Sequence, residues 1–229
     1  MFSFNKIVGI GTRDIHNHLL PGVDDGFRHA EDSLEAIKRM AQEGCKEIYM
    51  TPHMNPDVYP DMTEAKLKEV YDSFIPRIPS ELGVKTWLAA EYMVVNNFQD
   101  RAASGELLTF PDGSILIEMS YYFRSDNLED TVFALVTEGY KPILAHPERY
   151  LYMAESLRDF DHLRDMGCRF QMNRLSLTGI YGGESITIID YLLSKGMYDF
   201  MATDLHTVTQ LDKLTTQKVP RRIFNMLPK

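Results

Sequence analysis

The sequence is poor in cysteine, in long apolar runs and in surplus positive charge, and each shortage removes a class of protein. Its two cysteines, Cys45 and Cys168, are too few for a disulfide framework, and a small buried hydrophobe in a reducing cytoplasm is the simpler reading of each. No stretch reaches the roughly 18 apolar residues that a membrane span requires. The first residues, Met1-Phe2-Ser3-Phe4-Asn5-Lys6, lack the basic segment and apolar run of an export signal. A cytoplasmic protein without membrane insertion is therefore expected. Lysine and arginine number 24 against 33 aspartates and glutamates, a formal net charge of −9, which argues against a broad phosphate-backbone footprint and so against a nucleic-acid partner. Gly/Ser linkers, low-complexity tracts and internal repeats are also missing, so the 229 residues are expected to form one domain. Nothing in the sequence specifies an oligomeric state.

What the sequence has is a repeated alternation of β-branched apolar runs with polar stretches of helical spacing, the pattern of βα units. Seven strands are predicted near 11–15, 46–51, 84–90, 114–119, 141–145, 168–172 and 198–203. Helices are predicted near 63–75, 126–139, 156–167 and 184–195. A further helix is expected to begin near Asp32 as its cap, with Glu35 answering three residues on and Gly44 ending it. Such a chain is α/β, and periodicity alone does not choose between an open doubly wound sheet and a distorted barrel.

His16 and His18 stand two apart in Asp14-Ile15-His16-Asn17-His18, so on a strand both imidazoles point to one side and can reach one ion. His53, His146 and His206 lie at or just past the C-terminal ends of other predicted strands. Glu91, Glu118 and Asp204 occupy equivalent places, and Asp24 and Asp25 lie in the loop after the first strand. In a parallel α/β architecture those strand ends form the active face, so residues scattered from 16 to 206 converge. Taken singly, each reads as a satisfied polar residue at a strand end. Glu118 resists that reading because it interrupts the apolar run Leu116-Ile117-Glu118-Met119, and a buried carboxylate is expensive unless paired or metal-bound. Five histidines and four carboxylates exceed what one ion binds, so two or three divalent ions are expected. Imidazole and carboxylate without thiolate suit Mn²⁺, Fe or Zn²⁺ held for chemistry, and the surplus positive charge of such a cluster attracts phosphate.

These residues sit in segments that resemble the PHP (polymerase and histidinol phosphatase) superfamily and, within it, the bacterial metal-dependent protein-tyrosine phosphatases of capsule and exopolysaccharide operons. The likeness runs from Asp14-Ile15-His16-Asn17-His18-Leu19-Leu20-Pro21-Gly22-Val23-Asp24-Asp25-Gly26 through Thr51-Pro52-His53, Ala90-Glu91-Tyr92 and Ile117-Glu118-Met119-Ser120. It continues in Ala145-His146-Pro147-Glu148-Arg149-Tyr150 and Thr203-Asp204-Leu205-His206. The resemblance implies a PHP-type distorted (β/α)₇ barrel with His16, His18, Asp25, His53, Glu91, Glu118, His146, Asp204 and His206 as ligands. It implies a divalent cluster, Mn²⁺ foremost, with Glu91 bridging, and a substrate on the phosphotyrosine tail of a membrane-associated tyrosine autokinase. The chemistry expected of such a site is in-line attack on phosphorus by a water acidified between cations, without a phosphocysteine.

Arg149 is the expected phosphate clamp, since a guanidinium can bind two phosphate oxygens at once; its bland alternative is a surface ion pair with Glu148. Asp25 and His206 complete the expected catalytic set, although His206 and His53, both candidates to protonate the leaving group, are not free to do so if they bind metal. Relatives in this group often carry an Arg shortly after the final Asp-x-His, where this chain has Thr207-Val208-Thr209-Gln210-Leu211, which leaves Lys213 as a substitute. Thr203 stands in place of a common Ser.

Cys168-Arg169-Phe170-Gln171-Met172-Asn173-Arg174 fits the Cys-x5-Arg pattern of thiol-based phosphatases, yet it contains no glycine and reads as a strand, not as a phosphate-cradling loop. Tyr121-Tyr122-Phe123, Tyr150 and Tyr152 either flank a phosphotyrosine ring or pack the barrel rim. Two rival activities arise: a histidinol-phosphate phosphatase, which would share the metals and differ in the substrate pocket, and an amidohydrolase, which also opens with His-x-His but would usually need a bridging lysine that the Glu118 strand lacks. A catalytically inactive regulatory module is the third, and nine retained polar groups argue against it.

Overall fold

The computed structural model describes residues 4–6, 10–96, 98–216 and 218–220. The elements in chain order are β1 (Phe4–Lys6), β2 (Arg13–Asp14), α1 (Ala30–Gln42), β3 (Glu47–Met50), β4 (His53–Met54), α2 (Glu64–Phe74), β5 (Lys85–Leu88), β6 (Glu91–Met93) and α3 (Phe98–Ser104). They continue as β7 (Ser114–Glu118), α4 (Leu128–Thr137), β8 (Lys141–Ala145), α5 (Arg158–Asp165), β9 (Arg169–Asn173), α6 (Gly183–Ser194), β10 (Tyr198–Ala202), α7 (Val208–Thr216) and β11 (Lys218–Pro220). β1 and β11 pair antiparallel in a two-stranded sheet of their own. Every other pairing of named strands is parallel, in a three-stranded sheet β2-β3-β5 and a six-stranded sheet β10-β9-β8-β7-β6-β4.

The two parallel sheets are one surface, because the strands predicted at 46–51 and 84–90 are each kinked and carry on into the second sheet. Pro52, which has no N–H to donate, separates β3 from β4, and the backbone bonds Ala89 N–H to Met50 C=O (2.9 Å) and Glu91 N–H to Pro52 C=O (3.0 Å) keep the neighbours in register across the break. The seven predicted strands thus form an irregular barrel. It closes beyond the ends of β2 and β10, where Asp204 N–H bonds His16 C=O (2.8 Å) and His18 N–H bonds Leu205 C=O (2.9 Å). A side chain supports this seam. The buried Asp14 carboxylate accepts from Thr203 N–H (2.8 Å), Thr203 Oγ1 (2.7 Å) and Asn17 Nδ2 (3.0 Å).

Helices pack their apolar faces on the outside of the barrel, giving a core that includes Ile37, Met40, Ile48, Ile117, Leu144, Phe170 and Leu192. A smaller cluster, with Ile15, Tyr49, Ala89, Leu116, Ile143 and Ala202, fills the interior. Side chains two residues apart on a strand share a face, so Ala89, Leu116 and Ala202 lie one layer below Glu91, Glu118 and Asp204. The apolar plug is therefore the floor of a polar layer.

Three differences from the sequence reading stand out. Helix α1 begins at Ala30, two residues before the expected cap; His29 precedes it in extended backbone with no side-chain cap, and Asp32 lies in the first turn, where its charge favours the helix dipole. Helices α3 and α7 were not anticipated. α7 is announced by a capping box, since Thr207 Oγ1 accepts Gln210 N–H (3.2 Å) while Gln210 Oε1 reaches back to the N–H groups of His206 (2.7 Å) and Thr207 (3.1 Å). Of the Pro220-Arg221-Arg222-Ile223-Phe224 stretch, Pro220 ends β11 and the rest lies outside the described residues. Among the described residues no helix is long and apolar enough to cross a membrane.

Candidate metal centre

All nine residues singled out as ligands meet at the C-terminal mouth of the barrel. Their imidazole nitrogens and carboxylate oxygens form three overlapping groups: His18, Asp25, His53 and His206; His16, His18, Glu91 and Asp204; and His53, Glu91 and Glu118. Within each group the donor atoms lie within 4.8 Å of one another. His146 joins through Glu91, its Nε2 standing 3.1 Å from Glu91 Oε1. His16, His18, Glu91 and His146 are fully buried, Glu118 and Asp204 nearly so, and Asp25 is the open member of the set at 61% exposure.

Hydrogen bonds behind the rings decide which nitrogens face the cluster. Carboxylate, carbonyl and amide oxygens only accept, so the ring nitrogen bonded to each must carry the proton. His16 Nδ1 meets Gln171 Oε1 (2.7 Å), His18 Nδ1 meets Asp24 Oδ2 (2.7 Å), and His206 Nδ1 meets the Asp204 carbonyl (2.9 Å). In each neutral ring Nε2 is then a bare lone pair directed at the site. The Nε2 atoms of His16 and His18 stand only 3.4 Å apart, an arrangement that calls for a cation between them or beside them. Asp204 divides its oxygens in the same spirit: Oδ2 accepts from Arg149 Nη1 (2.7 Å) and Asn173 Nδ2 (2.8 Å), while Oδ1 faces His18 (3.3 Å) and His16 (3.4 Å).

Glu91 is the hub. Its Oε2 has no hydrogen-bond partner although it is buried, and the nitrogens of His16 (3.1 Å), His53 (3.1 Å) and His18 (3.4 Å) surround it. Nδ1 of His53 and of His146 are likewise buried without a hydrogen bond. Orphaned polar atoms are costly, and three in one cluster fit a site built for divalent cations. Without cations, protons substitute for them. Burial alone disfavours the imidazolium of His16 and His18, but Glu91 and Asp204 outweigh it for His16, as Asp24 and Asp204 do for His18, and both rings are raised above the ordinary histidine value. Burial would raise Glu91, yet His16 and His53 hold it well below the usual carboxylate range. Burial and the neighbouring Glu91 charge push Glu118 upward, so the two carboxylates avoid ionising together in the absence of metal. His146, whose burial prevails, falls to about 4 and remains neutral.

Among the described residues, strained non-glycine backbone falls at this place. His146 (φ 30°) and Asp204 (φ 49°) are the non-glycine residues in the left-handed region among the described residues, each turning its side chain back over the mouth at the end of a strand. Gly26 is required for a different reason: a Cβ there would sit 2.4 Å from the His18 carbonyl oxygen and 2.5 Å from the His18 Cβ. That close approach seats Asp24 behind the His18 ring, where it also accepts from Gly26 N–H (2.9 Å) and His53 N–H (3.0 Å).

Asp24, Gln171 and Asn173 therefore hold members of the candidate ligand set in place, a part that the sequence reading did not assign. The adjacent aspartates of Asp24-Asp25 split their duties, one behind a ring and one facing the cluster. Supporting groups of this kind typically carry a 10–100-fold effect on metal affinity. Asp24→Asn is accordingly expected to weaken binding of a divalent metal ion at this centre by about 10–100-fold; an unchanged affinity in a metal titration would refute that role.

Arg149 departs from its bland alternative. It does not pair with Glu148; it bonds Asp204 and lies against the rings of Tyr121 (4.2 Å) and Tyr181 (4.9 Å) at the edge of the cluster. Glu148 is buried instead, accepting from Asn173 N–H (2.8 Å), Ser176 Oγ (2.7 Å) and Tyr198 OH (2.9 Å), which anchors the loop after β8. Tyr150 is buried with its hydroxyl on Met119 N–H (3.0 Å), and Tyr152 OH donates to Ser120 C=O (2.9 Å); both are rim packing. Thr203 uses its hydroxyl on Asp14, a bond a serine would also make. Lys213 stands exposed on α7, whose buried side chains are Leu211 and Leu214.

The Cys-x5-Arg segment forms β9 and the turn after it, not a phosphate loop. Burial pushes the Cys168 thiol up to about 12, so it stays protonated at neutral pH and is a poor nucleophile. Cys168→Ser should leave activity within about twofold of the parent in a phosphate-release assay, and a loss of the kind seen for nucleophile removal, on the order of 10³-fold or more, would reinstate the thiol.

Residues 12–215 match the family of capsular polysaccharide synthesis proteins CpsB/CapC. The chain belongs to the CpsB/CapC family. It is 30% identical over 197 residues to the tyrosine-protein phosphatase YwqE of Bacillus subtilis, covering 85% of this chain and 77% of the relative. It is 28% identical over 206 residues to the putative tyrosine-protein phosphatase CapC of Staphylococcus aureus, with 86% and 77% covered. A chain from the crystal structures of YwqE from B. subtilis and CpsB from Streptococcus pneumoniae, described as unique metal-dependent tyrosine phosphatases, superposes with a TM-score of 0.74 at 28% identity, covering 87% of this chain and 81% of that one. The phosphotriesterase homology protein of Escherichia coli shares the fold alone, with a TM-score of 0.51 at 12% identity over 90% of this chain and 86% of that one. The expected α/β barrel of this CpsB/CapC protein is thus borne out by its own topology and by its neighbours.

Proposed function

We propose that this protein is a metal-dependent protein-tyrosine phosphatase holding two or three divalent ions, with Mn²⁺ the best match to its imidazole and carboxylate donors. The observation that carries the reading is the set of three overlapping donor groups sharing His18, His53 and Glu91 beside an arginine. The names of the relatives in the family support the same reaction. His16, His18, Glu91 and Asp204 would hold one ion, His18, Asp25, His53 and His206 a second, and His53, Glu91 and Glu118 a third, with His146 beside Glu91. Neighbouring groups share donors, so the count is two or three according to which group His18 and His53 each join. When bound, divalent cations supply a nucleophilic water at neutral pH and neutralise charge on the phosphoryl oxygens.

The chain's own residues do the rest. Arg149 keeps part of its guanidinium fork available to the phosphate while Asp204 and the flanking tyrosine rings fix its plane. Asp25 and His206, the more open members of the set, take the side of the site that admits substrate. Asp24 and Gln171 fix the rings of His18 and His16, and Asn173 fixes the Asp204 carboxylate, which keeps the mouth preorganised. We further propose a cytoplasmic location and, as physiological substrate, the phosphotyrosine-bearing tail of a membrane-associated tyrosine autokinase of a polysaccharide operon.

The test is phosphate release from a phosphotyrosyl peptide by metal-stripped protein reloaded with Mn²⁺, run beside histidinol phosphate and His146→Ala. Mn²⁺-dependent release from the peptide, lost in the variant, is expected. Preference for histidinol phosphate would overturn the substrate assignment, and no release from either would overturn the activity.

A further inference from the structure

Six of the eight large apolar side chains that stand exposed among the described residues lie in the loops that follow barrel strands: Val58, Tyr121, Tyr122, Phe123, Leu151 and Ile180. The other two, Phe133 and Val136, are on α4. Among the described residues the turns that lead from helices back into strands carry none of the eight. Single exposed apolar residues need no explanation, but a set gathered round one opening marks a contact surface. Tyr122 is 90% exposed and Phe123 66%. They follow directly on Tyr121, whose ring lies against Arg149 and within 5.6 Å of the His146 ring, so the pair starts at the wall of the site.

The charges of the same loops narrow what can be bound. Asp57, Asp61, Asp126 and Glu155 are exposed there, whereas Arg124 is tied to Glu129 and Arg149 to Asp204. An occupant with acidic residues on either side of its phosphate would meet carboxylates; one with apolar, neutral or basic flanks would not. A small phosphomonoester can fill the phosphate position without covering side chains as exposed as these, while a chain running across the mouth covers them.

We infer that Tyr122 and Phe123 are specificity-determining residues that bind the apolar, uncharged or basic flanks of the phosphorylated tyrosine in an extended segment of a partner protein. This rests on the phosphatase reading above and adds the residues that select the sequence around the target. Exposed aromatic anchors of this kind are expected to contribute about tenfold in binding as a pair.

The experiment compares wild type with a Tyr122→Ala/Phe123→Ala variant, both Mn²⁺-loaded, on three substrates. These are a phosphotyrosyl peptide with leucine and lysine flanks, the same peptide with aspartate flanks, and para-nitrophenyl phosphate. Wild type is expected to favour the apolar-basic peptide over the acidic one. In the variant kcat/KM for the favoured peptide should fall about tenfold through KM, with para-nitrophenyl phosphate and the melting temperature unchanged. Equal loss on all three substrates, or no loss on the peptide, would overturn the inference while leaving the phosphatase reading intact. Failure of wild type to release phosphate from either peptide while it turns over para-nitrophenyl phosphate would overturn both.

Discussion

Replacing Glu91 with glutamine is expected to abolish metal-dependent phosphate release, lowering kcat by at least about 10³-fold, because the proposed mechanism draws several kcal/mol of charge stabilisation from ions that this carboxylate would hold together. Glu91 belongs to two of the three donor groups, and its side chain is the link to His146. The amide keeps the volume but withdraws a negative charge from among His16, His18 and His53, and replaces one of the two oxygens by an N–H, which donates and cannot bind a cation. Metal content measured by mass spectrometry should fall together with activity. Retention of the full metal complement with activity within tenfold of the parent would show that Glu91 is a buried ion-pair partner and no more. A fall in melting temperature alone does not decide the matter, since removing one member of a buried charge cluster destabilises by itself.

The second large effect is on stability. Asp14→Ala is expected to cost about 3–5 kcal/mol, the usual consequence of removing a buried, hydrogen-bonded charge. Asp14 is the residue on which the barrel seam depends: three donors from Thr203 and Asn17 converge on it, and the Arg174 charge lies near enough to favour its ionised form, against burial, which raises its pKa. For a chain of this length each kcal/mol corresponds to about 2–4 °C, so the melting temperature should drop by about 6–20 °C. A shift below about 2 °C would mean that the seam is held by its backbone bonds alone. The result also separates Asp14 from the ligands that follow it: it belongs to the Asp-x-His-x-His run, yet its carboxylate faces the seam and not the cluster.

Why the seven strands were readable while their course was not follows from the same physics. Parallel strands covered on both faces are continuous apolar runs, as in Ile115-Leu116-Ile117, and these stand out from helical patterns; a carboxylate such as Glu118 stands out within them. The kinks at Pro52 and Ala89-Ala90 leave these two strands paired with each other while the first parts from β2 and the second takes up β7, which depends on the curvature of the barrel and has no local signature. Asp24 and Asp25 are adjacent and chemically identical, and only the packing of Gly26 on His18 assigns one to the ring and the other to the mouth. Gln171 and Asn173 are neutral amides in an otherwise strand-like run, and nothing local distinguishes an amide that holds a ring or a carboxylate, as these hold His16 and Asp204, from one that faces water. The Thr207-x-x-Gln210 box, by contrast, was a legible helix start immediately after His206.

The pairing of Arg149 with Asp204 joins the residue proposed to clamp phosphate to one proposed to hold metal. Asp204 is held far below the usual carboxylate range: burial opposes ionisation, but His16, His206, His18 and Arg149 together outweigh it. The same carboxylate thus orients the guanidinium through one oxygen and faces the imidazoles through the other, so a change at either partner is transmitted to both.

The most direct test of the metal-centre assignment is an anomalous difference map from crystals of the Mn²⁺-loaded protein, collected with X-rays above the manganese absorption edge. Two or three peaks are predicted at the barrel mouth, each bonded to members of one donor group, with Glu91 touching more than one of them. A mouth without anomalous density, or manganese bound elsewhere on the chain, would contradict the account.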